Sequence, residues 1–90
     1  MRLGKVVGTV VATRKDPRLT GLKLLVVATL TPEREFDGAY EVAADTVSAG
    51  ARETVLLCTG SSARMTERTE KAPVDATIVG IVDQVNLDER

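Results

Sequence analysis

The chain has no histidine, no tryptophan, a single cysteine (Cys58) and only two aromatic residues, Phe36 and Tyr40. Each scarcity excludes a class of chemistry. One thiol cannot build an intrachain disulfide framework, and without histidine it cannot complete a Cys/His zinc site. No Asp/Asn cluster has the spacing of a calcium loop, so neither a metal nor another cofactor is expected. Without an imidazole base, Ser61 and Ser62 are poor candidates for a nucleophile, and the nearby Arg64 cannot accept a proton. Asp45, Asp75 and Asp83 lie beside small or apolar residues at strand ends. Acid–base work would require a cleft, and partnering loop N–H groups or Arg64 is the more ordinary role. Cys58 reads as a small buried apolar residue. No enzyme is expected.

Charge and aromatic content exclude two kinds of partner. The chain carries 12 basic and 13 acidic residues, for a net charge of −1. Bulk electrostatics therefore supply no attraction to nucleic acid or to an anionic membrane. Binding to single strands also relies on aromatic stacking platforms, and two aromatic residues are too few. The longest apolar run, Leu24 to Ala28 with Leu30 close behind, is too short to span a bilayer. Met1 to Lys5 leads straight into a strand pattern and lacks the apolar core and cleavage site of a secretory signal. A soluble, cytoplasmic protein is expected.

What is present is β-branched alternation broken by turn chemistry. The 90 residues read as one domain, 1–90, ending in a polar tail over 88–90. A chain of this size buries only about 60–65% of its unfolded surface and is marginal alone. Val6 to Thr13 alternates as a first strand, with Gly8 marking a bend or close approach. Asp16-Pro17-Arg18 opens a long hairpin loop that closes at Gly21. Lys23 to Leu30 is the second strand, Tyr40 to Asp45 a short third, Glu53 to Thr59 the fourth, and Ala76 to Leu87 the last. Between the second and third strands, Thr31 to Gly38 reads as a solvated loop, and Met65 to Lys71 reads as a mobile one. The pattern predicts an all-β fold: a small five-stranded, OB-like closed barrel with one short helical turn after strand four.

Two of these strands are apolar on both faces, whereas a barrel strand needs only one. If Leu25, Val27, Val79 and Ile81 point outward, burying them is worth about 1.5–3 kcal/mol each. Together that rivals the total stability of such a domain, about 5–13 kcal/mol. Exposed apolar surface on this scale marks an interface, so an oligomer is expected. The alternative is a loop of the same chain covering these residues.

Val55 to Arg64 is the most suggestive stretch. An apolar strand runs into Gly60, followed by Ser61, Ser62, Ala63 and Arg64. Backbone N–H groups after a glycine can hold a phosphate. No Gly-Lys-Ser/Thr follows, however, and serine is also an ordinary helix cap. A structural corner is the simpler reading; a module binding an oligonucleotide or small anion at Gly60–Ser62 is the alternative.

Taken together, the stretches resemble one family. Lys5 to Val11 with Thr13, Lys15, Asp16 and Pro17, then Leu19, Gly21 and Lys23-Leu24-Leu25, are similar to the opening of EutN/CcmL proteins. So are Val42 to Asp45, Ala49-Gly50, Gly60 to Arg64, Pro73 to Ala76 and Ile78 to Asp83. The resemblance spans the chain in order and without large insertions. It implies a non-enzymatic homopentamer that caps the vertices of icosahedral bacterial microcompartment shells, whether carboxysomes or metabolosomes. Its implied partners are its own copies and hexameric shell proteins, within a shell in the cytoplasm. A C5 ring uses two different patches per subunit. Gly60, Ser61, Ser62 and Arg64, with the outward members of Leu25, Val27, Val79 and Ile81, are the expected subunit-interface or fivefold-axis residues. The chain departs from the family at Ser48 and Ala51-Arg52, where members more often carry glycine, which bears on the conformation of that turn.

Overall fold

β-Branched and aliphatic runs bounded by glycine, proline and aspartate draw the chain into β1 (Arg2–Val10), β2 (Lys23–Leu30), β3 (Phe36–Asp45), β4 (Thr54–Thr59) and β5 (Ala76–Ile81). The structure, a computed structural model, describes residues 1–88. Glu89 and Arg90 of the expected polar tail lie outside the described residues. The strands close into a barrel in the order β1-β2-β3-β5-β4. Neighbours are antiparallel except β3 and β5, which run parallel through only two residue pairs, Ala44–Thr77 and Asp45–Ile78. The all-β, five-stranded closed barrel and the helical turn after β4 match the sequence reading.

Alternation decides which side chains fill the barrel. Val6, Leu25, Val27, Ala43, Val55, Leu57 and Ile78 form its core, each at most 3% exposed. The core is so tight at Gly4 that a Cβ there would overlap the Val27 side chain, so only glycine fits this close approach. Leu25 and Val27 are therefore interior residues, and the expectation that they could point to a neighbour is corrected. The outward side of β2 carries Leu24, Val26, Ala28 and Leu30 instead. Both faces of β2 are apolar, as expected, and register alone settles which set lies inside.

Three boundaries shift, each because of who pairs with whom. The first strand begins at Arg2, since Arg2 to Lys5 pair with β4 on one side while Leu3 to Val10 pair with β2 on the other. β3 starts at Phe36 and absorbs the end of the expected loop, because Phe36 lies opposite Leu30. The last strand stops at Ile81 rather than Leu87. Its partner β4 begins at Thr54, and Val82 N–H donates to the Thr54 carbonyl as the ladder's final bond. Two valines are bulges. Val7 in β1 and Val79 in β5 have no opposite residue in β2 and β4 respectively, which bends their strands and increases local twist.

The segment expected to be a mobile loop is pinned. Thr69 is fully buried, and its hydroxyl donates to the Ala63 carbonyl at 2.8 Å; the Thr77 hydroxyl donates to the same oxygen at 2.7 Å. Further along, Ala72 and Val74 are buried against Ala44 with Leu19, Leu22 and Leu24 packed around them. The chain thus covers part of its own outer β2–β3 surface.

Candidate assembly surfaces

The Gly60–Arg64 corner is a short 3-10 turn, entered through Gly60 at φ 68°, a conformation that favours glycine. Gly60 N–H donates to the Asp75 carbonyl at 2.8 Å, so the corner is tied to the residue just before β5. The Ser62 hydroxyl turns back to donate to the Thr59 carbonyl at 2.8 Å. Arg64 donates through Nη1 to the Val74 carbonyl at 3.0 Å, a main-chain partner where a carboxylate was expected. Ala63 is wholly buried, while Gly60, Ser61 and Ser62 are exposed. These bonds hold β4, the corner and the approach to β5 together. The corner is a joint within the subunit, with a small-residue surface left facing outward.

The turn from β3 to β4 is organised by Asp45, which is 3% exposed and accepts from Val47 N–H at 3.0 Å and Ala49 N–H at 2.9 Å. The expected partnership of this aspartate with loop N–H groups is what the structure shows. Ser48 at φ 57° and Arg52 at φ 68° both adopt the left-handed backbone. Both lie where the resemblance implied that glycine is more frequent, and the turn has glycine-type geometry without glycine at either position.

Part of the outer surface on β3 is bare and apolar. Phe36, Tyr40 and Val42 on β3 are each at least half exposed, and the two rings contact at 5.0 Å with a 44° tilt. Beside them Asp37 accepts from the Thr29 hydroxyl, from Ala39 N–H and from Arg2 at 3.1 Å. The Thr29 hydrogen bond, with the Ala39 amide and Arg2 adding to it, lowers the Asp37 pKa. Val79 is half-buried and Ile81 is 39% exposed, so both candidates on β5 reach the surface. Sequence reasoning overlooked Val7, Val11 and the Phe36–Tyr40 pair. Period-two alternation in β1 and β3 was the available signal, but it could not say where neighbouring strands would stop. Cys58 is buried and free, and among the described residues no group of three potential ligands could hold a metal. No helix of the described residues is long and apolar enough to cross a membrane.

A family model described as ethanolamine utilisation protein EutN/carboxysome matches residues 1–83. The chain belongs to the EutN/CcmL family. It is 52% identical over 85 residues to the bacterial microcompartment shell vertex protein GrpN of Rhodospirillum rubrum, covering 94% of this chain and 96% of that one. It is 48% identical over 90 residues to the carboxysome shell vertex protein CcmL of Synechococcus elongatus, covering 100% and 91%. The solved structure of pentameric GrpN superimposes with a TM-score of 0.88, at 49% identity over 99% of this chain and 100% of that one. CcmL of Nostoc superimposes with a TM-score of 0.93, at 46% identity over 100% and 95%. These EutN/CcmL barrels share the closed topology, so the surfaces above are the surfaces of a family fold.

Proposed function

We propose that this EutN/CcmL chain is a structural, non-enzymatic subunit that forms a homopentamer at the vertices of a bacterial microcompartment shell. The observation that carries this reading is the end-to-end match to pentameric GrpN, in sequence and in fold. Physical reasoning supports it. A flat hexagonal sheet cannot close, and a fivefold unit at each corner supplies the missing curvature. A C5 ring joins two unlike patches of the same chain and closes only when their relative rotation is right. Hexameric shell proteins, tiling the facets in the cytoplasm, are the partners such a vertex meets.

Of the residues proposed for the subunit interface, Val79, Ile81, Gly60, Ser61, Ser62 and Arg64 keep exposed or half-exposed positions for that role. The interior residues Leu25 and Val27 do not. Binding of an oligonucleotide or anion at Gly60–Ser62 is disfavoured, since Ser62 and Arg64 already donate to main-chain carbonyls. Native mass spectrometry of the purified protein tests the reading. A mass of five chains is expected; a stable monomer or hexamer contradicts it. In the same assay, Ile81→Asp is expected to shift the distribution from pentamer to smaller species, and an unchanged pentamer would remove Ile81 from the interface.

A further inference from the structure

The start of β3 holds a chemically reactive dipeptide. Asp37-Gly38 is the one place in the chain where an aspartate precedes a glycine, and no asparagine does so. The register pairs Ala28 with Tyr40 and Leu30 with Phe36, so Asp37, Gly38 and Ala39 bulge opposite the single residue Thr29. Asp37 and Gly38 are both exposed. Gly38 stands in the open: its φ is 96°, and an added Cβ would meet nothing within 4 Å. No side chain shields its main-chain nitrogen, and glycine's backbone freedom lets that nitrogen approach the aspartate side chain when the bulge opens.

The Asp37 carboxylate is what fastens this bulge. Its Oδ1 accepts from the Thr29 hydroxyl and from Ala39 N–H at 3.1 Å, and its Oδ2 accepts from Arg2 Nη2 at 3.1 Å. Thr29 is fully buried, so the first donor cannot swing away to solvent. Arg2 is anchored in turn by its place in the β1–β4 ladder, opposite Leu57. Both carboxylate oxygens are therefore held. The Thr29 bond, foremost among these contacts, also keeps the carboxyl ionised below the usual carboxylate range.

We propose that Asp37-Gly38 is a latent isomerisation site, kept as ordinary aspartate by the donors of Thr29, Ala39 and Arg2. The reaction they restrain is intramolecular. The Gly38 nitrogen gives up its proton and bonds to Asp37 Cγ; a Cγ–O bond breaks and that oxygen leaves as water, closing a succinimide ring. Water then adds to one of the two ring carbonyl carbons. Breaking the Cγ–N bond restores aspartate. Breaking the bond from the Asp37 main-chain carbonyl carbon to the nitrogen leaves isoaspartate, with the chain running through the former side chain. Departure of either oxygen severs at least one of the hydrogen bonds above, and an oxygen without a proton is a poor leaving group. Isomerisation thus proceeds from openings of the bulge, whose frequency is set by local stability. An isoaspartate here lengthens the β3 main chain between Phe36 and Tyr40 and moves the carboxylate off its donors.

Ageing at neutral pH tests this. The full chain, its Arg2→Ala and Thr29→Val variants and a synthetic peptide of residues 33–42 are incubated side by side. Isoaspartate is then measured by peptide mapping and by enzymatic methylation of the isoaspartyl carboxyl. The peptide lacks the donors of Thr29 and Arg2 and is expected to isomerise fastest. The full chain is expected to be slower by about tenfold or more, the effect of one hydrogen bond to a charged group. A rate between these two is expected for at least one folded variant, with folding checked by far-UV circular dichroism. Arg2→Ala changes a side chain that is 43% exposed, so it decides the matter if Thr29→Val does not fold. A full chain that isomerises as fast as the peptide overturns the proposal, as does a rate in every folded variant no higher than in the full chain. The reaction is read within one chain, so its outcome is independent of the pentamer reading.

Discussion

The outer surface of the β2–β3 ribbon has two ends with opposite fates. At the Leu24–Ala44 end, the chain folds back on itself: Ala72 and Val74 cover the strands, joined by Leu19 and Leu22. At the other end, Leu30 lies opposite Phe36 and Ala28 opposite Tyr40, and those rings face solvent. The same alternation made both ends apolar. One end is covered because the connection from β4 to β5 is long enough to reach it, and hydrogen bonds from Thr69 and Thr77 to Ala63 hold it there. The other stays exposed. A chain too small to bury all its apolar surface covers what its longest loop can reach.

The largest effect that would break this contrast is a charge under the loop. Val74→Asp places a carboxylate among Ala44, Leu19 and Leu24, and even with Arg64 bonded to the carbonyl of residue 74 it is expected to cost about 2 kcal/mol or more. Urea unfolding measures the loss. Val42→Asp, on the bare surface, is expected to change the unfolding of the dissociated chain by no more than about 0.5 kcal/mol. Equal losses at the two sites would erase the contrast.

Removing the clamp should matter next. Thr69→Val and Thr77→Val each delete one donor to Ala63, and each is expected to cost about 0.5–1.5 kcal/mol. Because the two share an acceptor, the double variant should cost more than their sum. Simple additivity in thermal unfolding would show that the shared carbonyl is not what holds the segment.

A smaller, opposite effect sharpens the comparison from the β3–β4 turn, which stays bare. Ser48 and Arg52 adopt left-handed backbones, costing about 1–2 kcal/mol each relative to glycine in that conformation. Glycine's greater unfolded freedom offsets part of this, so Ser48→Gly and Arg52→Gly are each expected to stabilise by about 0.5–1 kcal/mol. A lower denaturation midpoint in either variant would mean that the side chain makes a contact that outweighs the strain.

The smallest effect concerns Asp16, the N-cap of the short 3-10 turn Pro17–Leu19 in the connection from β1 to β2. Asp16 accepts from the Arg18 backbone at 2.9 Å and from its guanidinium at 2.9 and 2.8 Å. These bonds, the side-chain one foremost, lower its pKa from 3.8 to about 2. The folded pKa lies below the unfolded value, so the cap contributes fully above pH 3.8 and loses its contribution as pH falls through about 2. Titration of the Asp16 carboxyl followed by NMR should inflect near pH 2. An inflection at the ordinary carboxylate value would show that the Arg18 contacts are not formed in solution.

Much of this was legible from residue order. Strand-forming runs and the corner at Gly60 follow from side-chain chemistry, which acts locally and does not depend on distant partners. β2 was located to the residue, because Gly21 and Pro32 bracket its β-branched run. Which face of β2 lies inside was not legible. With Leu24, Val26, Ala28 and Leu30 on one side and Leu25 and Val27 on the other, both faces are apolar, and a strand's register is set by its neighbours. Where β5 stops and how the β4–β5 connection is clamped depend likewise on pairing across the barrel. The sequence by itself determined that this chain would be a small barrel with surplus apolar surface. Only the tertiary structure decided where that surplus lies, because closing the barrel assigns every side chain to an inside or an outside.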